Sequence, residues 1–228
     1  MVGLKVKNNL VILYEDNHII VVVKPCNILS QSDNTKDSDL LTVIKQYLKD
    51  KYHKEGNVFL GLVHRLDRPV SGVMVFAKTS KAASRLSQSI RDGLFEKKYL
   101  AVINGILDNK EGELVNYIKK NNNNTSVIST VDNGKLAILN YKVLEEVNNL
   151  SLVDISLITG RHHQIRVQFA NINHPLYGDQ RYGKMDKKQI ALHAYSLSFP
   201  HPITKEILTF INMPSSTIWF TFNYVNKI

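Results

Sequence analysis

The 228-residue sequence holds a single cysteine, Cys26. No disulfide can therefore form within the chain, and a reducing compartment suits it. Long apolar runs are missing as well. The longest, Ile19 to Val23, is far too short to cross a bilayer. No N-terminal apolar run resembles a signal peptide. These absences predict a cytoplasmic protein with no membrane partner. No repeat, long linker or composition break divides the chain, so one domain over residues 1–228 is expected. Acidic residues are scarce: 20 Asp plus Glu stand against 29 Lys plus Arg, a net charge of +9. That imbalance points to a polyanionic partner, most often nucleic acid. The rest is ordinary for a globular protein, with 43% hydrophobic and 21% charged residues. A chain of this length buries enough surface to fold without staples.

Two short apolar runs, Val11 to Tyr14 and Ile19 to Val23, flank Glu15-Asp16-Asn17-His18. They read as strand, turn, strand, ended at Lys24-Pro25 because proline cannot donate to a ladder. Leu40, Leu41, Ile44, Tyr47 and Leu48 follow helical spacing, with Asp37 or Ser38 as the expected N-cap. Val73 to Ala77 reads as a buried strand. A helix capped by Thr79 or Ser80 follows, with Gly93 at its C-terminal end. Strands are expected at Tyr99–Ile103, Leu114–Ile118, Ala137–Leu144, Leu150–Ile158, Ala191–Phe199 and Ile207–Ile211. Lys119 to Thr125 is a loop or hairpin tip, Glu145 to Asn149 a turn, and Arg161 to Asn171 a helix. Strands outnumber helices and often follow one another directly. This favours an α+β fold with a largely antiparallel sheet.

Two stretches carry dense chemistry. In Gly61-Leu62-Val63-His64-Arg65-Leu66-Asp67-Arg68-Pro69-Val70-Ser71-Gly72, three basic or titratable groups surround one carboxylate between two apolar elements. Rigidly supported loops are where catalytic groups are usually placed. By itself such an Asp could be a nucleophile, a base, a metal ligand or a turn cap. In Thr159-Gly160-Arg161-His162-His163-Gln164-Ile165-Arg166, two Arg and two His crowd a helix start. The helix dipole disfavours cations there, which hints at an anionic partner. A metal-dependent hydrolase is disfavoured, since no HExxH or comparable spacing occurs. Adjacent His162 and His163 would point about 100° apart on a helix and would not readily share one ion.

His64-Arg65-Leu66-Asp67-Arg68-Pro69-Val70-Ser71-Gly72 resembles the signature of the RluA-type pseudouridine synthases. Further stretches resemble the same family in the same order: Leu13-Tyr14-Glu15-Asp16 to Lys24-Pro25, Lys97 to Ala101, Thr159 to Arg166, His174 to Asp179 with Tyr182-Gly183, and Leu192-His193-Ala194 with His201-Pro202. The resemblance spans about residues 11–214. It implies a pseudouridine synthase fold, a single catalytic domain on a mixed, mainly antiparallel bent sheet flanked by helices. It implies isomerisation of uridine to pseudouridine in RNA, without cofactor or metal.

On that resemblance Asp67 is the nucleophile, Tyr99 stacks on the displaced uracil, and Arg166 pairs with the Asp67 carboxylate. A guanidinium fork can keep a carboxylate ionised in a closed pocket. Arg161 is a weaker alternative for that role. His64, Arg65, Arg68, Arg161, His162 and Gln164 become candidate RNA-binding residues, His64 more structural than catalytic. The expected partner is a stem-loop of ribosomal or transfer RNA, bound by a monomer. The N-terminal S4 domain of many relatives has no counterpart here. Asn173 stands where the family has Gly before His-Pro, and Asn tolerates left-handed backbone. The Asn121–Asn124 run has no family counterpart. The rival reading is an RNA-binding domain of the same fold that has lost catalysis.

Overall fold

The computed structural model describes residues 10–33 and 37–226. They form an α+β fold whose resolved strand ladders are antiparallel. The chain contains two compact units, Met1–Phe95 with Ser196–Asn212, and Glu96–Tyr195 with Met213–Ile228.

In the first unit, β1 (Val11–Glu15) and β2 (Ile19–Lys24) form a hairpin. Asp16 closes its turn by accepting from the N–H groups of His18 and Ile19, each at 2.7 Å. Strand β2 also pairs with β4 (Ser71–Ala77), from Ile19 opposite Ala77 to Lys24 opposite Gly72. The short β3 (Gly61–Leu62) pairs with the far end of β4. A strand covered on both faces reads as an unbroken apolar run. The unbroken Ile19-Ile20-Val21-Val22 run of β2 is fully buried accordingly.

Helix α1 (Leu40–Lys51) is capped by Asp39 rather than by Asp37 or Ser38. The Asp39 carboxylate accepts from Thr42 N–H at 3.0 Å and from its hydroxyl at 2.8 Å. A bridge between Leu29 and Asp39 fixes Asp39 at the start. Helix α2 (Ser80–Arg91) begins at Thr79 as expected and gives way to Gly93 at φ 72°. Its Ala82 and Leu86 join Val73, Val75, Phe95, Leu197 and Phe199 in the core. Phe95 and Phe199 stack with centroids 5.1 Å apart, a pairing worth about 0.5–1.5 kcal/mol beyond area burial. The chain returns through β10 (Leu192–Pro200), whose later residues pair with β11 (Ile207–Ile211).

In the second unit the strand order is β5 (Glu96–Asn104), β9 (Leu150–Leu157), β8 (Lys135–Val147), β6 (Glu111–Lys120) and β7 (Ser126–Ser129). The β8–β9 turn is shorter than Glu145–Asn149. Only Asn148 and Asn149 lie between the strands, at φ 51° and 59°, the left-handed pair that a tight hairpin requires. Strand β7 was not legible in the sequence; it pairs with the end of β6, Ile128 opposite Ile118. Helix α3 (Gln164–Asn171) starts three residues later than expected. Its Val167 packs with Ile118 and Ala137. A 3-10 turn (Trp219–Thr221) and α4 (Asn223–Asn226) bury Trp219, Phe222 and Val225 against Leu100, Val102 and Leu152. Asn173 takes φ 64°, the left-handed backbone expected of it. No helix among the described residues is long and apolar enough to cross a membrane.

Candidate active site

The first unit builds the Asp67 turn. Residues 63–70 have no ladder of their own, so the loop needs other anchors. Val70 N–H donates to the Asp67 carbonyl at 3.0 Å, closing a turn around Arg68-Pro69. Ser30, 5% exposed, grips the residue before Asp67 at both ends. Its hydroxyl donates to the Leu66 carbonyl at 2.8 Å and accepts from Leu66 N–H at 3.2 Å. His64 Nε2 accepts from Val75 N–H at 3.1 Å, and its ring meets Phe95 edge-on. His64 therefore ties the loop to β4. Gly72, opposite Lys24, has φ 134°, a conformation that only glycine adopts readily. Asp67 itself is half-buried. Arg65 and Arg68 are exposed, and Arg68 pairs with Asp37 at 2.7 Å.

The main anchor is Lys24, which is fully buried. Its ammonium donates to the carbonyls of Val70 at 2.7 Å and of Pro25 and Arg68 at 3.0 Å. All three donors of the group are thus engaged. Burial brings its pKa down to about 7, with Arg68 adding to the fall and Cys26 and Asp67 opposing it. In the sequence, Lys24 marks only the end of a strand. A lysine closing the run Ile-Ile-Val-Val-Val was the available signal, because a buried cation needs partners.

The depressed pKa has a thermodynamic consequence. Below about 7, folded and unfolded chains both hold the Lys24 proton, and this group adds no pH dependence. Between about 7 and the ordinary lysine value, the unfolded chain binds more protons, so stability rises with pH. Lys24→Met removes this dependence and strands buried carbonyls, each worth about 1–3 kcal/mol. Denaturant titrations at pH 6.5 and 9.5 should show the wild type gaining on Lys24→Met at the higher pH. Parallel profiles would contradict the assignment.

The second unit builds a wall around Arg166. Arg166 is 5% exposed on α3. Its Nε and Nη2 donate to the two carboxylate oxygens of Asp179, each at 2.8 Å. Asp179 Oδ1 also accepts from the N–H groups of Arg181 and Tyr182. Burial alone would raise the Asp179 pKa, but the bonds and charge of Arg166 and the two N–H groups hold it below the usual carboxylate value. The fork that the resemblance assigns to Asp67 is therefore spent, on its Nε–Nη2 edge, on a second carboxylate. The Tyr182 ring lies beneath the guanidinium, 5.2 Å from Cζ.

The N-terminal stretch of α3 is irregular. His163 caps the helix at φ 56° without a side-chain cap bond. His162 and His163 are thus outside the regular helix, and their rings stack at 3.7 Å rather than diverge by 100°. Gln164, predicted to bind RNA, is 3% exposed and is spent on the turn. Its Oε1 accepts from Arg161 N–H and Thr159 Oγ1, and its Nε2 donates to the Ile138 carbonyl. Arg161 is exposed and donates from Nε to the Leu136 carbonyl. Tyr99 is 8% exposed on β5, opposite Ile155 of β9. Neighbouring Lys97 has its pKa lowered by burial. Asp179 and Tyr182 were recognised in the sequence only as parts of a resembling stretch. Among the described residues no group of three or more His, Cys, Asp or Glu is placed to hold a metal ion.

A family model described as RNA pseudouridylate synthase matches residues 18–171. The chain is 34% identical over 202 residues to the uncharacterized RNA pseudouridine synthase YhcT of Bacillus subtilis, covering 86% of this chain and 66% of that protein. It is 35% identical over 196 residues to the ribosomal large subunit pseudouridine synthase D of Borreliella burgdorferi, covering 82% of this chain and 60% of that one. The chain therefore belongs to the RNA pseudouridylate synthase family, and these relatives bear out the resemblance to its RluA type. It spans about 60–66% of the length of these two relatives. The fold is shared with human RNA pseudouridylate synthase domain containing 4 at a TM-score of 0.78 and 21% identity, covering 95% of this chain and 93% of that one. It is also shared with human RNA pseudouridylate synthase domain containing 1, at a TM-score of 0.74 and 23% identity, covering 92% and 84%.

Proposed function

We propose that this chain is a catalytic domain that isomerises uridine to pseudouridine in structured RNA. The observation that carries the reading is the Asp67 turn: a half-buried carboxylate on a loop fixed by the buried Lys24 and Ser30 and by the half-buried His64, within the family's signature sequence. Fold alone does not give function, so the site must carry it. The reaction breaks the bond from ribose C1′ to uracil N1 and forms one from C1′ to C5. The C5 hydrogen leaves as a proton and N1 gains one. Atoms and electrons balance within the substrate, so no redox partner is required.

Asp67 is the covalent group, since a carboxylate can attack and leave again. Arg166 is proposed to serve the reaction of Asp67, and Tyr99 offers a flat ring to a uracil displaced from its stack. Arg65, Arg68, Arg161 and His162 are the proposed RNA contacts, while His64 and Gln164 hold the frame. By their names, several relatives act on the large ribosomal subunit. A stem-loop of ribosomal or transfer RNA is the substrate class we propose, and a monomer the working form. Mapping pseudouridines in RNA from cells with and without the Asp67 carboxylate tests the assignment. A uridine modified only in the presence of Asp67 supports it. Identical maps overturn it.

The positive charge makes a separate prediction. A +9 chain that contacts several phosphates releases counterions on binding, so RNA affinity should fall steeply between about 50 and 200 mM salt. Filter binding across that range checks this. A flat dependence would mean that the charge serves another purpose.

A further inference from the structure

The Asn121–Asn124 run has no role in the chemistry proposed above, yet the chain ties it closely to Arg166. The run forms the tip of the β6–β7 hairpin, closed by Asn121 N–H donating to the Thr125 carbonyl at 2.8 Å. Arg181 Nη1 donates to the Asn124 carbonyl at 2.6 Å. At the base of the tip, Ser126 N–H donates to the Tyr182 hydroxyl at 2.7 Å. Ser126 Oγ lies 2.9 Å from His162 Nδ1, and the Tyr182 hydroxyl lies 2.7 Å from His163 Nδ1. Burial raises the Tyr182 pKa, so the phenol keeps its proton at neutral pH. Its oxygen accepts from Ser126 N–H and lies within hydrogen-bond reach of His163 Nδ1.

One residue therefore meets three parts of the site. The ring of Tyr182 lies beneath the Arg166 guanidinium, its hydroxyl joins the hairpin to the stacked imidazoles, and its N–H helps to hold Asp179. We propose that Tyr182 is a positioning residue for the isomerisation, setting the plane of Arg166 and joining it to the Asn-rich hairpin tip. Asp179 fixes two nitrogens of the guanidinium, and the Tyr182 ring fixes the plane in which the whole fork lies. The hydroxyl keeps that ring from swinging, because it is tied on one side to β7 and on the other to the cap of α3. This inference rests on the reading that Arg166 serves the chemistry of Asp67.

The test is a double-mutant cycle between Tyr182→Phe and Arg166→Lys. Phe keeps the ring and deletes only the hydroxyl. Single-turnover rate and RNA affinity are measured for each variant, with a thermal melt to confirm folding. Tyr182→Phe should slow the single-turnover step roughly tenfold, the worth of one hydrogen bond, and leave RNA affinity within about twofold of wild type. In the Arg166→Lys background the same change should add less than about twofold, because Tyr182 acts through Arg166. A residue that only supports the fold would slow both backgrounds by the same factor, and that result overturns the inference. So does a wild-type rate in Tyr182→Phe beside a crippled Arg166→Lys. A wild-type rate in Arg166→Lys itself overturns the role given to Arg166. If Tyr182→Phe melts below the assay temperature, all four proteins are assayed at a temperature below that melt. The same pattern of slowed rate, retained affinity and non-additivity is then required.

Discussion

Asp67→Asn should abolish turnover by at least about 10⁴-fold, the scale seen when a covalent nucleophile is removed, while the protein stays folded and binds RNA. The expectation follows from how the turn is built. Val70 N–H is held by the backbone carbonyl of Asp67, not by its carboxylate. Lys24 is held by the carbonyls of Pro25, Arg68 and Val70. Ser30 holds Leu66. These supports survive when one carboxylate oxygen becomes an amide nitrogen. What is lost is the nucleophile, since an amide cannot attack and leave as a carboxylate does. Single-turnover kinetics together with filter binding separate the two effects. Turnover above the level of deamidated contaminant would remove Asp67 from its role. Loss of RNA binding in proportion to loss of rate would make Asp67 a binding residue.

Arg166→Lys should be nearly as damaging to rate, by about 10²–10³-fold. Lysine keeps the positive charge, so the electrostatic environment of the site is not inverted. It cannot reproduce two parallel bonds of 2.8 Å to both oxygens of Asp179. An ammonium at the end of a flexible stem would satisfy one oxygen and leave the other partly unpaired. It would also lose the planar contact above Tyr182. A misplacement of about 1 Å in a group that acts on the reacting centre is enough for a loss of this size. Initial rates with saturating RNA measure the effect. Kinetics matching wild type would make the Arg166–Asp179 pair a purely structural ion pair.

Residues whose local pattern is self-sufficient were legible in the sequence. The apolar runs Val11–Tyr14 and Ile19–Val23 gave a hairpin, Thr79 capped a helix, and Ile207–Ile211 formed a strand with those bounds. Asn173 adopted the left-handed turn inferred from its replacing a glycine. Features set by distant partners were not legible. Ser126–Ser129 has no pattern of its own and becomes a strand only because β6 runs beside it. Arg161 to His163 continue the polar character of a helix start, but the Gln164 side chain takes the hydrogen bonds and delays the helix. Asp39 caps α1 because a bridge to Leu29 holds it in place. At the site, the family signature singled out Asp67, Tyr99 and Arg166. It did not single out the residues that hold them. Lys24 lies 43 residues before Asp67, and Asp179 lies 13 after Arg166, spacings that no local period connects.

Asp67 is proposed to drive formation of the C1′ to C5 bond. That bond cannot form without releasing the hydrogen at C5. The most direct measurement uses a transcript carrying tritium at C5 of its uridines, incubated with the purified chain and with Asp67→Asn. The account predicts tritium released to solvent by the wild type, without added cofactor, to a plateau set by the number of target uridines. It predicts no release from Asp67→Asn above the contaminant level. Equal release from both proteins, or a folded wild type that binds RNA and releases none from any structured transcript, would contradict it.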